Sequence, residues 1–240
     1  MNKQSNSYTI LYAVGLVLVV GLALSAVYQA LKPTQQQNMA DDTKSQILKA
    51  ALLTPQKGES ISDLYAEHVK EAYIVDYNGN TVDKNPQAAF DATLSIAQEM
   101  KKDENKRKLP VFVCTTKEGK KYILPVYGQG LWGPIWGYVA FDDNGNTIYG
   151  AYFAHQGETP GLGAEIEKPA FSGQFKGKDV FNHDKFESVA VVKSGHEPAG
   201  GSYVHSISGA TITSQGVGKM LLNSLKPYEK FLENLKNTEK

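Results

Sequence analysis

The sequence predicts an α+β fold, an antiparallel β-sheet with flanking helices, preceded by a single transmembrane helix. Three observations carry that prediction. Residues 8–31, "YTILYAVGLVLVVGLALSAVYQAL", contain no charged side chain. Short β-rich runs crowd the middle of the chain between Leu109 and His155. Stretches with the apolar spacing of helices lie at the two ends instead of alternating with the strands, which argues against βαβ units.

Composition removes several classes of function. The 240 residues hold 25 Lys and Arg against 25 Asp and Glu, so no overall field draws the chain to nucleic acid, and no nucleic-acid partner is expected. The run "KKDENKRK" (Lys101–Lys108) mixes both signs and reads as a solvated segment. Cys114 is the only cysteine, which rules out an intrachain disulfide and a four-thiolate metal or iron–sulfur site. In "PVFVCTT" it reads as a small buried apolar residue.

Taken in order, residues 1–7 form a short tail and residues 8–31 a span. A helix of about 20 apolar residues crosses the hydrocarbon core, and this run exceeds the about 7–15 residues of a cleaved signal's apolar region. It is therefore read as an anchor in contact with membrane lipid. Lys3 before it and Lys32, Lys44 and Lys49 after it leave the side undecided, because long domains cross largely regardless of charge. Residues 32–45 read as a linker, with Asp41 or Asp42 capping a helix whose apolar face is Ile47, Leu48, Ala51 and Leu52. The domain proper is placed at residues 46–240.

Within it, "SDLYAEHVKEA" reads as helix and "YIVDYNGNTV" as a hairpin turning at Asn-Gly. "NPQAAFDATLSIAQEMKK" is a helix with Asn85 as cap and Pro86 in its first turn. "LPVFVCTT", "KKYILPVYG", "IWGYVAFD" and "TIYGAYFAH", joined by "KEGK" and "DDNGN", read as an antiparallel meander. "DKFESVAVVKSG" is one further strand, and the chain ends in an amphipathic helix interrupted at Pro227.

Three glycine-rich segments are too specific for plain connections. "YGQGLWGPIWGYVA" (Tyr127–Ala140) holds both tryptophans, Trp132 and Trp136, either as core residues at a corner or as a flat wall for a planar ligand. "HQGETPGLGAEI" (His155–Ile166) is a stiff loop directly after a strand, where binding residues concentrate. "SISGATITSQG" (Ser206–Gly216) puts five hydroxyls at a helix start, with Ser208, Thr211, Thr213 and Ser214 near N–H groups and a positive dipole end suited to phosphate. No nucleophile–base pair is evident, and the five histidines lack metal-ligand spacing. No catalytic residue and no metal site are assigned. The pattern suits a phosphorylated planar cofactor, which brings its own chemistry to a protein that positions it.

"SGAT" (Ser208–Thr211) followed by "ITS" resembles the flavinylation motif of the FMN-binding domain family, and "ETPGLG" (Glu158–Gly163) resembles a second hallmark of it. The resemblance covers almost the whole chain. It implies one covalent FMN per chain, joined through its phosphate to Thr211. Ser208, Gly209 and Ala210 would then be small so that a flavin transferase can reach that threonine. Glu158, Thr159, Gly161, Leu162 and Gly163 would serve the flavin ring with Trp132 beside them, and Thr213 is counted with the cofactor-binding residues although its hydroxyl, like that of Ser214, is assigned no bond to the phosphate. Where the family usually carries an acidic residue three positions before the motif's Ser, this chain has His205.

Together with the anchor and "GLWG", the resemblance implies a subunit of a membrane respiratory complex. Its domain would lie on the extracytoplasmic side of a bacterial inner membrane. It would relay single electrons from NADH towards quinone, coupled to sodium export, among other subunits of the assembly. Two alternatives stand at this point: a subunit of a ferredoxin:NAD electron-transport complex, which shares both motifs, and an anchored interaction domain without flavin.

Overall fold

The computed structural model describes residues 6–238, so the first five residues of the expected tail lie outside the description. Helix α1 runs Asn6–Ala50. The chain divides into two compact units, one ending at Thr43 and one beginning at Lys44.

In the first unit α1 is apolar on every side, and large side chains from Ile10 to Leu31 are exposed all round it. A helix of that kind is long and apolar enough to cross a membrane. The stretch 32–45, expected as a linker, is helical throughout, and Asp41 and Asp42 lie inside α1 rather than capping a new helix. No glycine interrupts it after Pro33, and Gln37 bonds Asp41 one turn on at 3.0 Å.

The second unit is the α+β domain. Its elements are α2 (Ile61–His68), β1 (Val69–Val75), β2 (Thr81–Asp83), α3 (Pro86–Leu94), α4 (Ile96–Glu99), β3 (Leu109–Thr116), β4 (Gly119–Gln129), β5 (Pro134–Phe141) and β6 (Ile148–His155). Then follow α5 (Pro169–Ser172), β7 (Phe181–Asn182), β8 (Lys185–Phe186), β9 (Val189–Val192), β10 (Ser202–His205), α6 (Thr211–Leu225) and α7 (Glu229–Thr238). β1 to β6 form one antiparallel sheet in the order β2-β1-β3-β4-β5-β6.

Both faces of the sheet are covered. Val111, Leu124 and Val139 face α6 and α7, while their neighbours Phe112, Ile123, Tyr138 and Ala140 face the end of α1 and α3. That two-residue alternation between two apolar layers explains why the strands read as nearly continuous apolar runs. Cys114 is buried in the second layer.

Several local expectations shift. The helix expected over 62–72 ends at His68, and "VKEA" enters β1, where pairing with β3 outweighs helical spacing. Asn85 caps α3 by accepting from the Gln87 N–H at 3.0 Å, but the expected single helix breaks at Ser95, whose hydroxyl bonds back to Asp91 O at 2.9 Å. The strand expected over 184–195 splits at Ser188, which has φ +62°. Its second half, β9, pairs in parallel with β10 in a small separate sheet.

α6 lies directly on β4. A Cβ at Gly128 would stand 2.6 Å from Met220 Cβ, and one at Gly216 would stand 2.6 Å from Gln129 O. The two glycines let helix and strand touch backbone to backbone, and this sets where the helix begins.

Candidate functional site

Three segments meet at the start of α6: the Gly130–Gly133 turn between β4 and β5, the loop after β6, and the first turn of the helix. Glu158 joins them. Its Oε1 accepts the Trp132 N–H at 2.8 Å, and its Oε2 accepts the Thr213 hydroxyl at 2.6 Å. Its own N–H donates to His155 Nδ1 at 3.1 Å. The residue is only 4% exposed, so both carboxylate oxygens need these donors. A Cβ at Gly130 or Gly163 would run into that carboxylate.

The hydroxyls of "SISGATITS" divide by use. Thr213 is spent on Glu158. Ser214 accepts the Ile207 N–H at 3.0 Å and donates to Ala210 O at 2.8 Å, tying the helix start to the turn that follows β10. Ala210 occupies the cap position and gives no side-chain bond. Thr211 is the first helical residue, and among the described residues its hydroxyl has no partner. The first N–H with a helical acceptor is that of Ser214, to Ala210 O at 3.0 Å, which leaves those of Thr211, Ile212 and Thr213 over.

These groups open into a cavity of about 270 Å³. Thr159, Gly163, Gly209, Ala210 and Thr211 line it, with Glu158 and Thr213 beneath. Its apolar wall is Leu131, Trp132, Leu162 and Ile212. All four are exposed, Trp132 by 71%, and clustered exposed apolar side chains on a folded domain mark a binding surface.

Most of the residues singled out in the sequence thus converge. Ser208 and Gly161 stand outside the lining: Ser208 is exposed just before it, and Gly161, at φ +76°, donates its N–H to Glu165. The two tryptophans separate, since Trp136 is partly buried and bonds Gln46 Oε1 through its indole N–H at 3.0 Å. Leu131 and Ile212 escaped the sequence reading. Leu131 lay within the tryptophan segment, but nothing in its sequence context marks it as exposed.

A family described as FMN-binding domain matches residues 130–226, which contain both motifs and the tryptophan turn. The chain is 37% identical to the C subunit of the Na(+)-translocating NADH-quinone reductase of Vibrio vulnificus, over 90% of this chain and 89% of that one. It is 33% identical to the Pasteurella multocida protein of the same name over 98% and 96%. The crystal structure of the corresponding C subunit from Parabacteroides distasonis superposes with a TM-score of 0.75 at 47% identity, covering 84% of this chain and 96% of that one. Relatives so similar over nearly their whole length settle which of the two respiratory complexes the motifs point to: the chain belongs to the family of C subunits of Na(+)-translocating NADH-quinone reductases.

Proposed function

We propose that this chain is an FMN-carrying subunit of a sodium-translocating NADH:quinone oxidoreductase, with the flavin joined through its phosphate to Thr211. What supports the site is one contrast within four residues. The Thr213 and Ser214 hydroxyls are consumed by protein bonds, whereas that of Thr211 faces the cavity unbonded. The residues present fit FMN part by part. Three unpaired N–H groups and the helix dipole suit a phosphate, and Trp132, Leu131, Leu162 and Ile212 offer apolar faces to a flat ring.

FMN supplies one-electron chemistry when bound. The chain's own work is to hold and orient. Thr211 Oγ1 would become the ester oxygen in a maturation step carried out by a separate flavin transferase: its bond to the flavin phosphorus forms as the P–O bond of an activated flavin pyrophosphate donor breaks, and the hydroxyl proton leaves with the displaced nucleotide phosphate. Gly209, at φ +77°, turns the chain in front of that hydroxyl, and a Cβ there would stand 2.9 Å from Leu162 Cδ2. Glu158 fixes the three segments against one another without facing the ligand through its carboxylate. A cavity of about 270 Å³ is at the small end of ligand pockets, so part of the ring stays exposed, as exchange of electrons with other subunits requires. The domain lies outside the cytoplasm in this reading, and the span in lipid anchors it there.

The test is the intact mass of the full chain produced with a flavin transferase. The expected gain is one FMN less one water, and an unmodified mass from protein carrying no flavin would remove the proposal. Protease added from the extracytoplasmic side should cut the domain in sealed cells, and protection there would overturn the orientation.

A further inference from the structure

A second cavity, of about 580 Å³, lies beside the edge strand β6 and shares no lining residue with the flavin site. Lys49 and Leu52 at and just after the end of α1, Tyr152 of β6, and Glu167, Lys168 and Lys176 around α5 line it. Two features set it apart from an ordinary surface hollow.

The first is charge. Lys49 Nζ sits 5.0 Å from the centre of the Tyr152 ring, and Lys176 Nζ sits 5.1 Å from that of Tyr149. Among the described residues none of the three lysines has a carboxylate partner, while seven lysines elsewhere do. Glu167 is turned to His155, accepting its N–H at 3.3 Å. Three lysines against one glutamate leave the cavity with a net charge of +2 in a chain whose net charge is zero.

The second is Leu52. It follows α1 at φ +59°, with its N–H on Lys49 O at 3.0 Å and the Leu53 N–H on Leu48 O at 2.9 Å. That is the helix-ending position where glycine is the low-energy residue, and a branched side chain there is strained. The side chain is also 48% exposed. Leucine is thus unfavourable twice over in the free protein, and contact with an apolar ligand offsets both costs. Gly150 keeps the floor open below it, since a Cβ there would strike Ala50 O and stand 3.0 Å from Leu52 Cγ.

We infer that this cavity binds a phosphate monoester carrying an apolar or planar body. A phosphate monoester bears about −1.5 to −2 charges at pH 7, which matches the net charge of the wall, whereas a lone carboxylate would leave it half neutralised. The body rests on Tyr152 and Leu52, and the lysines meet the phosphate as point charges.

The experiment is a titration of the full-length protein in detergent with 1-naphthyl phosphate, followed by fluorescence polarisation. Saturable binding of one probe per chain, weakened by added salt, is expected. The double variant Lys168→Gln/Lys176→Gln changes only exposed side chains and should weaken it by about tenfold or more. Leu52→Gly relieves the backbone and should weaken the naphthyl probe while inorganic phosphate competes as before. Displacement by dihexanoyl phosphatidic acid marks an acyl body and displacement by adenosine monophosphate a planar one, and each supports the site. Unchanged affinity in the double-lysine variant, equal binding of 1-naphthol, or loss of binding in Trp132→Ala, which would put the probe in the other cavity, overturns the inference.

Discussion

The Thr213 hydroxyl donates to Glu158 Oε2 at 2.6 Å, joining residues 55 apart in sequence in a pair that solvent barely touches. A glutamate of the loop after β6 and the third residue of α6 are thereby held as one unit, with the Trp132 backbone as third member. Thr213→Val keeps the shape and leaves a buried carboxylate oxygen without its donor. The expected loss is about 1–3 kcal/mol of stability, read from the urea midpoint, with covalent flavin retained. An unchanged midpoint would show that the bond contributes nothing.

Thr211→Val separates the ester site from the cap. Ala210 holds the cap position and Ser214 ties the helix start, so stability should move by no more than about 0.5 kcal/mol. Covalent yellow fluorescence after denaturing electrophoresis should disappear. Full labelling of a folded Thr211→Val protein would sink the proposed attachment.

Gly161 and Gly163 differ by mechanism although they sit two residues apart. Gly161 has φ +76° and open space around a would-be Cβ, so Gly161→Ala should cost only the left-handed backbone term of about 1–2 kcal/mol. At Gly163 a Cβ would meet the Glu158 carboxylate and stand 2.8 Å from Thr213 Oγ1. Gly163→Ala should therefore break the Glu158–Thr213 pair and shift the flavin absorption as well. Equal effects in calorimetry and spectra would contradict this division.

Burial raises the Cys114 thiol to about 11 from 9.0. A folded-state value above the unfolded one means stability fully present below pH 9.0 and lost as pH rises through about 11. Iodoacetamide at pH 8 should leave the native thiol unmodified and label it in urea, with Cys114→Ser flattening the alkaline loss. Rapid labelling of native protein would place the thiol at the surface.

The sequence by itself determined the features that depend on neighbours along the chain. An uncharged run of this length makes a helix long and apolar enough to cross a membrane, four β-rich runs with turn clusters form a meander, and "SGAT" with "ETPGLG" carries a motif legible without any fold. Tertiary structure decided what depends on distant contacts. Whether "VKEA" is helix or strand turned on the presence of β3 beside it, and the stretch 32–45 continues α1 into Ile47 and Leu48, which the domain buries. The same holds within the site. Thr211, Thr213 and Ser214 are chemically alike in sequence, and only the positions of Glu158, Ile207 and Ala210 spend two of these hydroxyls and leave the third to the cavity. Trp132 and Trp136 likewise look interchangeable until Gln46 takes one indole. A hydrogen bond in a core is made by groups that the chain brings together from far apart, and no local pattern encodes which of several equivalent donors will find one.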